Sequence, residues 1–274
     1  MTRQRLVFFV SDRTGITAES LGNTLLTQFD GIQFLKATLP FINTRERALE
    51  AVARIDDAGK LAGGRPLVFS TTVDDEIRKV LRTCQAFFLD LFDSYIPAIE
   101  KELDEHSTHT VGRVHGMTDT AGYTSRIDAI NFSMAHDDGL TQKDYDRADL
   151  VLIAPSRCGK TPTCLYMALQ HGLFAANYPL TDEDLEKATL PELLLRYRDK
   201  LYGLTSSPER LMRVRGERRP GSKYASLEQC AWELSQAEAL FARHRIPCVN
   251  SADKSVEEIA VTVMQDKNLR RQSF

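Results

Sequence analysis

Along this chain, short apolar runs alternate with segments whose apolar residues recur every three or four positions. Residues 6–10 are apolar and aromatic and read as a strand, and residues 17–29 carry Leu21, Leu25 and Phe29 at helical spacing. Residues 32–39 read as a second strand, and Thr44 is an N-cap candidate for a helix over 45–58, although Arg47 does not complete a capping box. Residues 67–70, 74–83, 86–89 and 95–106 follow as strand, helix, strand and helix. Repeated strand-helix units predict a parallel sheet with helices on both faces.

Between 107 and 139 the pattern weakens into a segment rich in His, Thr, Gly and Asp, where only 127–135 has helical spacing. A stretch this polar reads as a plain linker or as a set of functional loops. Residues 150–153 then form an apolar run, and 174–178 another strand. A mainly helical middle leads to a long amphipathic helix over 227–245, a last strand over 248–250 and a terminal helix over 256–267. No internal repeat or low-complexity tract is visible in the sequence. The expected fold is α/β: an N-terminal parallel-sheet α/β domain over 1–106, connecting loops and a helix over 107–147, and a second α/β domain, kinase-like, over 148–274.

The chemistry concentrates after residue 150. LVLIAPSRCGKTPTCLY gives a buried strand, a tight polar turn ending Gly159-Lys160-Thr161, and a helix with Cys164, Leu165, Met167, Ala168 and Leu169 on its apolar side. Strand, glycine-bearing loop, Lys-Thr and helix is the layout of a phosphate-binding P-loop. Backbone N–H groups at the helix start and the helix dipole can hold phosphoryl oxygens. Lys160 can reach a terminal phosphate, and Thr161 can place its hydroxyl on Mg²⁺. The loop spans Ala154, Pro155, Ser156, Arg157, Cys158, Gly159, Lys160 and Thr161, so the first glycine of G-x-x-x-x-G-K-[ST] is replaced by Ala154. Pro155 pushes Ala154 toward extended geometry, and Pro162 fits a first helical turn. The plain alternative is an ordinary strand-turn-helix with an exposed Lys-Thr.

Three other constellations bear on function. His136-Asp137-Asp138-Gly139 follows the helix over 127–135. Read locally it is a helix end closed by a solvated turn. Beside a P-loop, Asp137 or Asp138 could hold Mg²⁺ or take a proton from an attacking hydroxyl. Ser11-Asp12-Arg13-Thr14-Gly15 lies between the first strand and helix, where open parallel sheets bind ligands. It also reads as a turn with Asp12 or Thr14 as a cap. Residues 196–223 hold nine Lys/Arg against three Asp/Glu, with Arg213, Arg215, Arg218, Arg219 and Lys223 crowding the end. This is a solvated face, or a mobile arginine segment that closes over phosphates. Arg157, inside the loop, is the stronger candidate, while His115 and Arg126 read as structural.

Composition narrows the classes. Apolar content of 42% and charged content of 27% over 274 residues are those of a soluble globular protein. A net charge of -3 argues against a generic nucleic-acid binder. No apolar run is long enough to span a bilayer, and the N-terminal apolar run meets Ser11-Asp12 at once, so it reads as a strand and not a signal peptide. Five cysteines without a C-x-x-C pair suggest a reducing, cytoplasmic setting and no zinc site.

Taken together, SDRTGITAESLG (11–22), TLPF (38–41), RPLVFST (65–71), AHDDG (135–139), SRCGKTPT (156–163), AANYP (175–179), GLTSSPERL (203–211), KYASLEQC (223–230) and SVEEIA (255–260) resemble one family over nearly the whole chain. It is the bacterial phosphoenolpyruvate synthetase regulatory proteins, kin to the regulators of pyruvate, phosphate dikinase. The AHDDG and YASLEQC wording is closer to the synthetase-regulating branch.

The resemblance implies a bifunctional serine/threonine kinase and phosphorylase. Such proteins inactivate phosphoenolpyruvate synthetase by moving the β-phosphoryl group of ADP to a threonine, leaving AMP. They reactivate it by attack of inorganic phosphate on the phosphothreonine, releasing pyrophosphate. It implies ADP at the P-loop (154–161) and inorganic phosphate as co-substrate; the residues themselves place Mg²⁺ at Thr161 and offer Lys160, Arg157 and, by position, Asp137 or Asp138 as the catalytic groups. It leaves a homodimer open. The departure is Ala154-Pro155 where many members carry Gly-Val. The residues themselves also admit an ATP-dependent small-molecule kinase, told apart by its nucleotide product, and a nucleotide-sensing module that forms no phosphothreonine.

Overall fold

A computed structural model describes residues 3–108, 120–139 and 144–269. The chain divides into two compact units, Met1–Gly116 and Met117–Phe274. His115 lies outside the described residues.

The first unit is a four-stranded parallel sheet in the order β2-β1-β3-β4. Its strands are β1 (Arg3–Val10), β2 (Ile32–Leu39), β3 (Leu67–Ser70) and β4 (Phe87–Asp90). They alternate with helices α1 (Ile16–Leu26), α2 (Arg45–Ala62), α3 (Asp75–Leu81) and α4 (Ile96–Leu103). Strand alternation sends Val7 and Phe9 to one face, where they pack with Ala18 and Leu26 of α1. Phe8 and Val10 go to the other face, against Ala48, Ala51 and Ile55 of α2 and Ile77 and Leu81 of α3. Thr44 caps α2 by accepting from the Arg47 amide, as the sequence suggests. The 11–15 loop does not use Asp12 or Thr14 as a helix cap. The N-cap is Gly15 at φ 85, with no side-chain bond. Asp12 is buried, and its Oδ2 accepts from the Val73 amide at 3.0 Å, tying the loop after β1 to the loop after β3.

The second unit has the same strand order, β6-β5-β7-β8. Its strands are β5 (Leu150–Ala154), β6 (Ala175–Pro179), β7 (Leu201–Thr205) and β8 (Cys248–Asn250). Its helices are α5 (Thr120–Ala135), α6 (Lys160–His171), α7 (Asp182–Lys187), α8 (Glu192–Arg196), α9 (Pro208–Arg218), α10 (Leu227–His244) and α11 (Val256–Asp266). β5 is buried along its whole length because both faces are covered. Leu150, Leu152 and Ala154 pack with Cys164 and Met167 of α6 and with Ile259 and Val263 of α11. Val151 and Ile153 pack with Ala237, Leu240 and Phe241 of α10. α5 packs on α6 and β6, so the helix over 127–135 belongs to this unit and begins earlier than its apolar spacing shows.

One strand departs from the expected pattern. The middle of this half is not only helical: β7 pairs with both β5 and β8 and lies inside the sheet. Its sequence, LYGLT, carries a glycine that ordinarily weakens a strand. A Cβ on Gly203 would lie 2.6 Å from the Phe241 ring, so glycine is what lets α10 close on the strand.

Candidate active site

The loop after β5 turns from sheet to helix through two left-handed residues, Arg157 at φ 73 and Gly159 at φ 94. Gly159 is the N-cap of α6 and supplies no side-chain cap. No amide from Arg157 to Thr161 has a hydrogen-bond acceptor among the described residues. Unpaired amides at a helix N-terminus form an anion-binding concavity, reinforced by the positive end of the helix dipole. Ala154 at the first glycine position of the motif is no obstacle. Its φ is not left-handed, and its methyl is buried in the core of the sheet.

Lys160 is 4% exposed, and its Nζ donates to the carbonyls of Ala154 at 3.2 Å and Pro155 at 3.1 Å. Burial pushes its ammonium below the usual lysine range, with the nearby aspartates opposing. Thr161 Oγ1 donates to Asp137 Oδ1 at 2.7 Å, and Asn177 Nδ2 donates to the same oxygen at 2.5 Å. Asn177 Oδ1 in turn accepts from the Asp138 amide at 3.0 Å. This fixes the turn at 137–139, where Asp138 is left-handed at φ 48. The two aspartates therefore part. Asp137 faces Thr161, whereas Asp138 lines a cavity of about 320 Å³ over the loop. That cavity is lined by Arg157, Lys160, Arg210, Arg218 and Lys254, five basic residues against the single acid Asp138, a lining that suits an anion.

Cys158 is buried, and desolvation pushes its thiol up to about 11, so it offers no thiolate at neutral pH. Cys164 is likewise raised by burial. Among the described residues no group of three His, Cys, Asp or Glu could hold a metal ion. The Thr161 hydroxyl and the Asp137 carboxylate are hard oxygen donors set side by side. They suit Mg²⁺, which takes one or two protein ligands and completes its shell with water and phosphate.

The basic stretch over 196–223 is not an open arm. Its middle is β7 and its end is α9. Arg218 lines the cavity over the loop, while Arg213 and Arg219 are exposed outside it. Arg215 is fully buried against Glu233 at 2.6 Å. Burial works against its charge, but the Glu233 hydrogen bond and charge outweigh it and raise its pKa. Lys223 lines a neighbouring cavity with Ser156, Tyr224 and Glu233. Arg126 is half-buried in α5.

The site thus brings together the eight loop residues with Asp137 and Asp138. Sequence reasoning did not single out Asn177, Arg210, Ser251 or Lys254. Asn177 stood in a quoted segment, AANYP, as a polar residue in the middle of a strand, where it is fully buried; a polar side chain inside a buried strand needs partners, which is a usable signal. Arg210 and Lys254 reach the cavity only through the way α9 and the loop after β8 fold back.

A family model described as kinase/pyrophosphorylase matches residues 7–264. A Legionella pneumophila (strain Corby) protein, named as a phosphoenolpyruvate synthase regulatory protein, is 51% identical over 98% of this chain and 99% of its own. Proteins of the same name from Alkalilimnicola ehrlichii and Hahella chejuensis are 49% and 48% identical, over 99% and 98% of this chain and 98% of their own lengths.

Proposed function

The chain belongs to the kinase/pyrophosphorylase family, and from that premise we propose that it regulates phosphoenolpyruvate synthetase by reversible threonine phosphorylation, with ADP as donor and inorganic phosphate as acceptor. The observation that carries this reading is the run of unpaired amides from Arg157 to Thr161 above a buried Lys160. That cradle suits a β-phosphate of ADP or free phosphate equally, since both present the same oxygens.

In the forward direction the threonine oxygen bonds to the β-phosphorus as the bond to the α-phosphate oxygen breaks, leaving AMP. The hydroxyl proton passes to a carboxylate, and Asp138 is the one that lines the cavity. Lys160 and Arg157 neutralise charge on the transferring group. In reverse, a phosphate oxygen attacks the phosphothreonine phosphorus. The bond to the threonine oxygen breaks, that oxygen regains a proton, and pyrophosphate leaves. Thr161 and Asp137 would hold Mg²⁺, which would screen the charge of the phosphates. Catalysis is then positioning and charge neutralisation.

The test is to mix the protein with ADP and phosphoenolpyruvate synthetase and examine the target by mass spectrometry. Phosphothreonine on the target with AMP as the nucleotide product supports the reading. ADP binding with no phosphothreonine refutes it in favour of a sensing module.

A further inference from the structure

A loop that binds phosphate through its amides must hold those amides in place before the phosphate arrives. In a trans peptide the carbonyl and the following N–H point in opposite directions, so a group that grips the carbonyl also sets the amide. Lys160 holds the carbonyls of Ala154 and Pro155 from within the loop, but two others are gripped from outside it. Ser156 O accepts from Arg215 Nη2 at 3.0 Å and Nε at 3.3 Å. Cys158 O lies 3.1 Å from Ser251 Oγ, which also reaches Thr205 O at 2.8 Å. The two peptides so held carry the N–H groups of Arg157 and Gly159, both among the unpaired ones.

Arg215 is itself fixed on every side. It is fully buried on α9, and Nη1 and Nη2 donate to the two Glu233 oxygens at 2.8 and 2.6 Å. Nη1 also donates to Tyr224 O at 3.0 Å, and the guanidinium lies 4.1 Å from the Tyr224 ring centre. The Tyr224 hydroxyl closes the circuit on Ser156 Oγ at 3.0 Å. Stability alone is a poor reason for such an arrangement, because apolar residues of similar volume often replace a buried ion pair without loss. An apolar pair cannot grip a carbonyl in a fixed direction, however, and the planar fork of arginine can.

We infer that Arg215 is a positioning residue for phosphate binding: it grips the Ser156 carbonyl and so sets the amide nest before the ligand enters. The inference rests on the reading of the P-loop as the seat of the ADP β-phosphate. The experiment measures ADP and AMP binding by calorimetry, together with thermal unfolding, for the wild type and the double variant Arg215→Met/Glu233→Leu. The double variant removes both buried charges at once and leaves neither unpaired.

The wild type is expected to prefer ADP over AMP. The double variant is expected to stay folded, keep its AMP affinity and lose about tenfold of that preference, the scale of a charged hydrogen bond. A general packing defect would weaken both nucleotides alike. If the double variant does not fold, Arg215→Lys is read in the same way, since it keeps the charge beside Glu233 but presents no fork to Ser156. Preference retained in the folded variant overturns the inference while leaving the P-loop reading intact. No preference in the wild type overturns the P-loop reading, and the inference with it.

Discussion

Lys160 has two carbonyl partners, and both lie in its own loop. A phosphate offers that ammonium a charged acceptor in their place. Lys160→Ala should therefore slow both directions of transfer by roughly 10²-fold or more, a cost of about 3 kcal/mol of transition-state stabilisation, the scale for one preorganised donor. Phosphorolysis that survives at full rate while phosphorylation is lost would show that the two reactions do not share this site. The same lysine gives a pH dependence. Burial lowers its pKa in the free protein, and an arriving phosphate raises it again. ADP binding should then take up a proton between the two values, and affinity should fall as pH rises through the lower one. Calorimetry in buffers of different ionisation enthalpy, well above the phosphate pKa of about 6, reads this directly. Absence of proton uptake there would mean that Lys160 is fully charged in the free protein. The paired carboxylates separate by position, and the proposed mechanism gives them different roles. Asp138→Asn should lose roughly 10²-fold or more in transfer rate at unchanged ADP affinity, because a general base acts in the transition state. Asp137→Asn should instead weaken the Mg²⁺ dependence, since Asp137 faces Thr161. Wild-type rates in both variants would return the turn at 137–139 to a structural role.

At the scale of elements, the strand, loop and helix around Gly-Lys-Thr were legible because their signal is local, within seventeen residues, 150–166. The strands β2, β3 and β8 lie where their apolar runs lie. β7 was hidden for a physical reason. Gly203 dilutes its strand signal, and the basic residues around it suggest solvent, yet burial between β5 and β8 overrides that local preference. Arg215 was read as one cation among five, since nothing local distinguishes it. Only its distance to Glu233, eighteen positions away, shows it to be a core residue. Gly203→Ala tests the element account. Its Cβ would meet the Phe241 ring and lie 2.9 Å from Cys248 Cβ. Overpacking of this kind costs about 1–3 kcal/mol. Thermal unfolding should show Tm lower by roughly 2–4 °C for each kcal/mol. An unchanged Tm would mean that α10 gives way without cost.

At the scale of the molecule, each unit is a parallel sheet of the same strand order, although no repeat is visible in the sequence. In the second unit β5 lies between β6 and β7, and the loop that leaves its carboxyl end, which carries Gly159-Lys160-Thr161, is at the switch point of the strand order. In the first unit the loop after β1 has the corresponding place, and its buried Asp12 is spent on the Val73 amide. No helix among the described residues is long and apolar enough to cross a membrane. The loop on which phosphate transfer is proposed, 154–161, belongs to the second unit.

The central claim is that ADP gives up its β-phosphoryl group at this loop. ADP labelled with ³²P in the β position, incubated with the protein and phosphoenolpyruvate synthetase, tests it most directly. The account predicts label on a target threonine, unlabelled AMP in solution, and labelled pyrophosphate once inorganic phosphate is added, each formed roughly 10²-fold more slowly in Lys160→Ala. Label that stays in ADP, or a target that accepts phosphate only from the γ position of ATP, would contradict it.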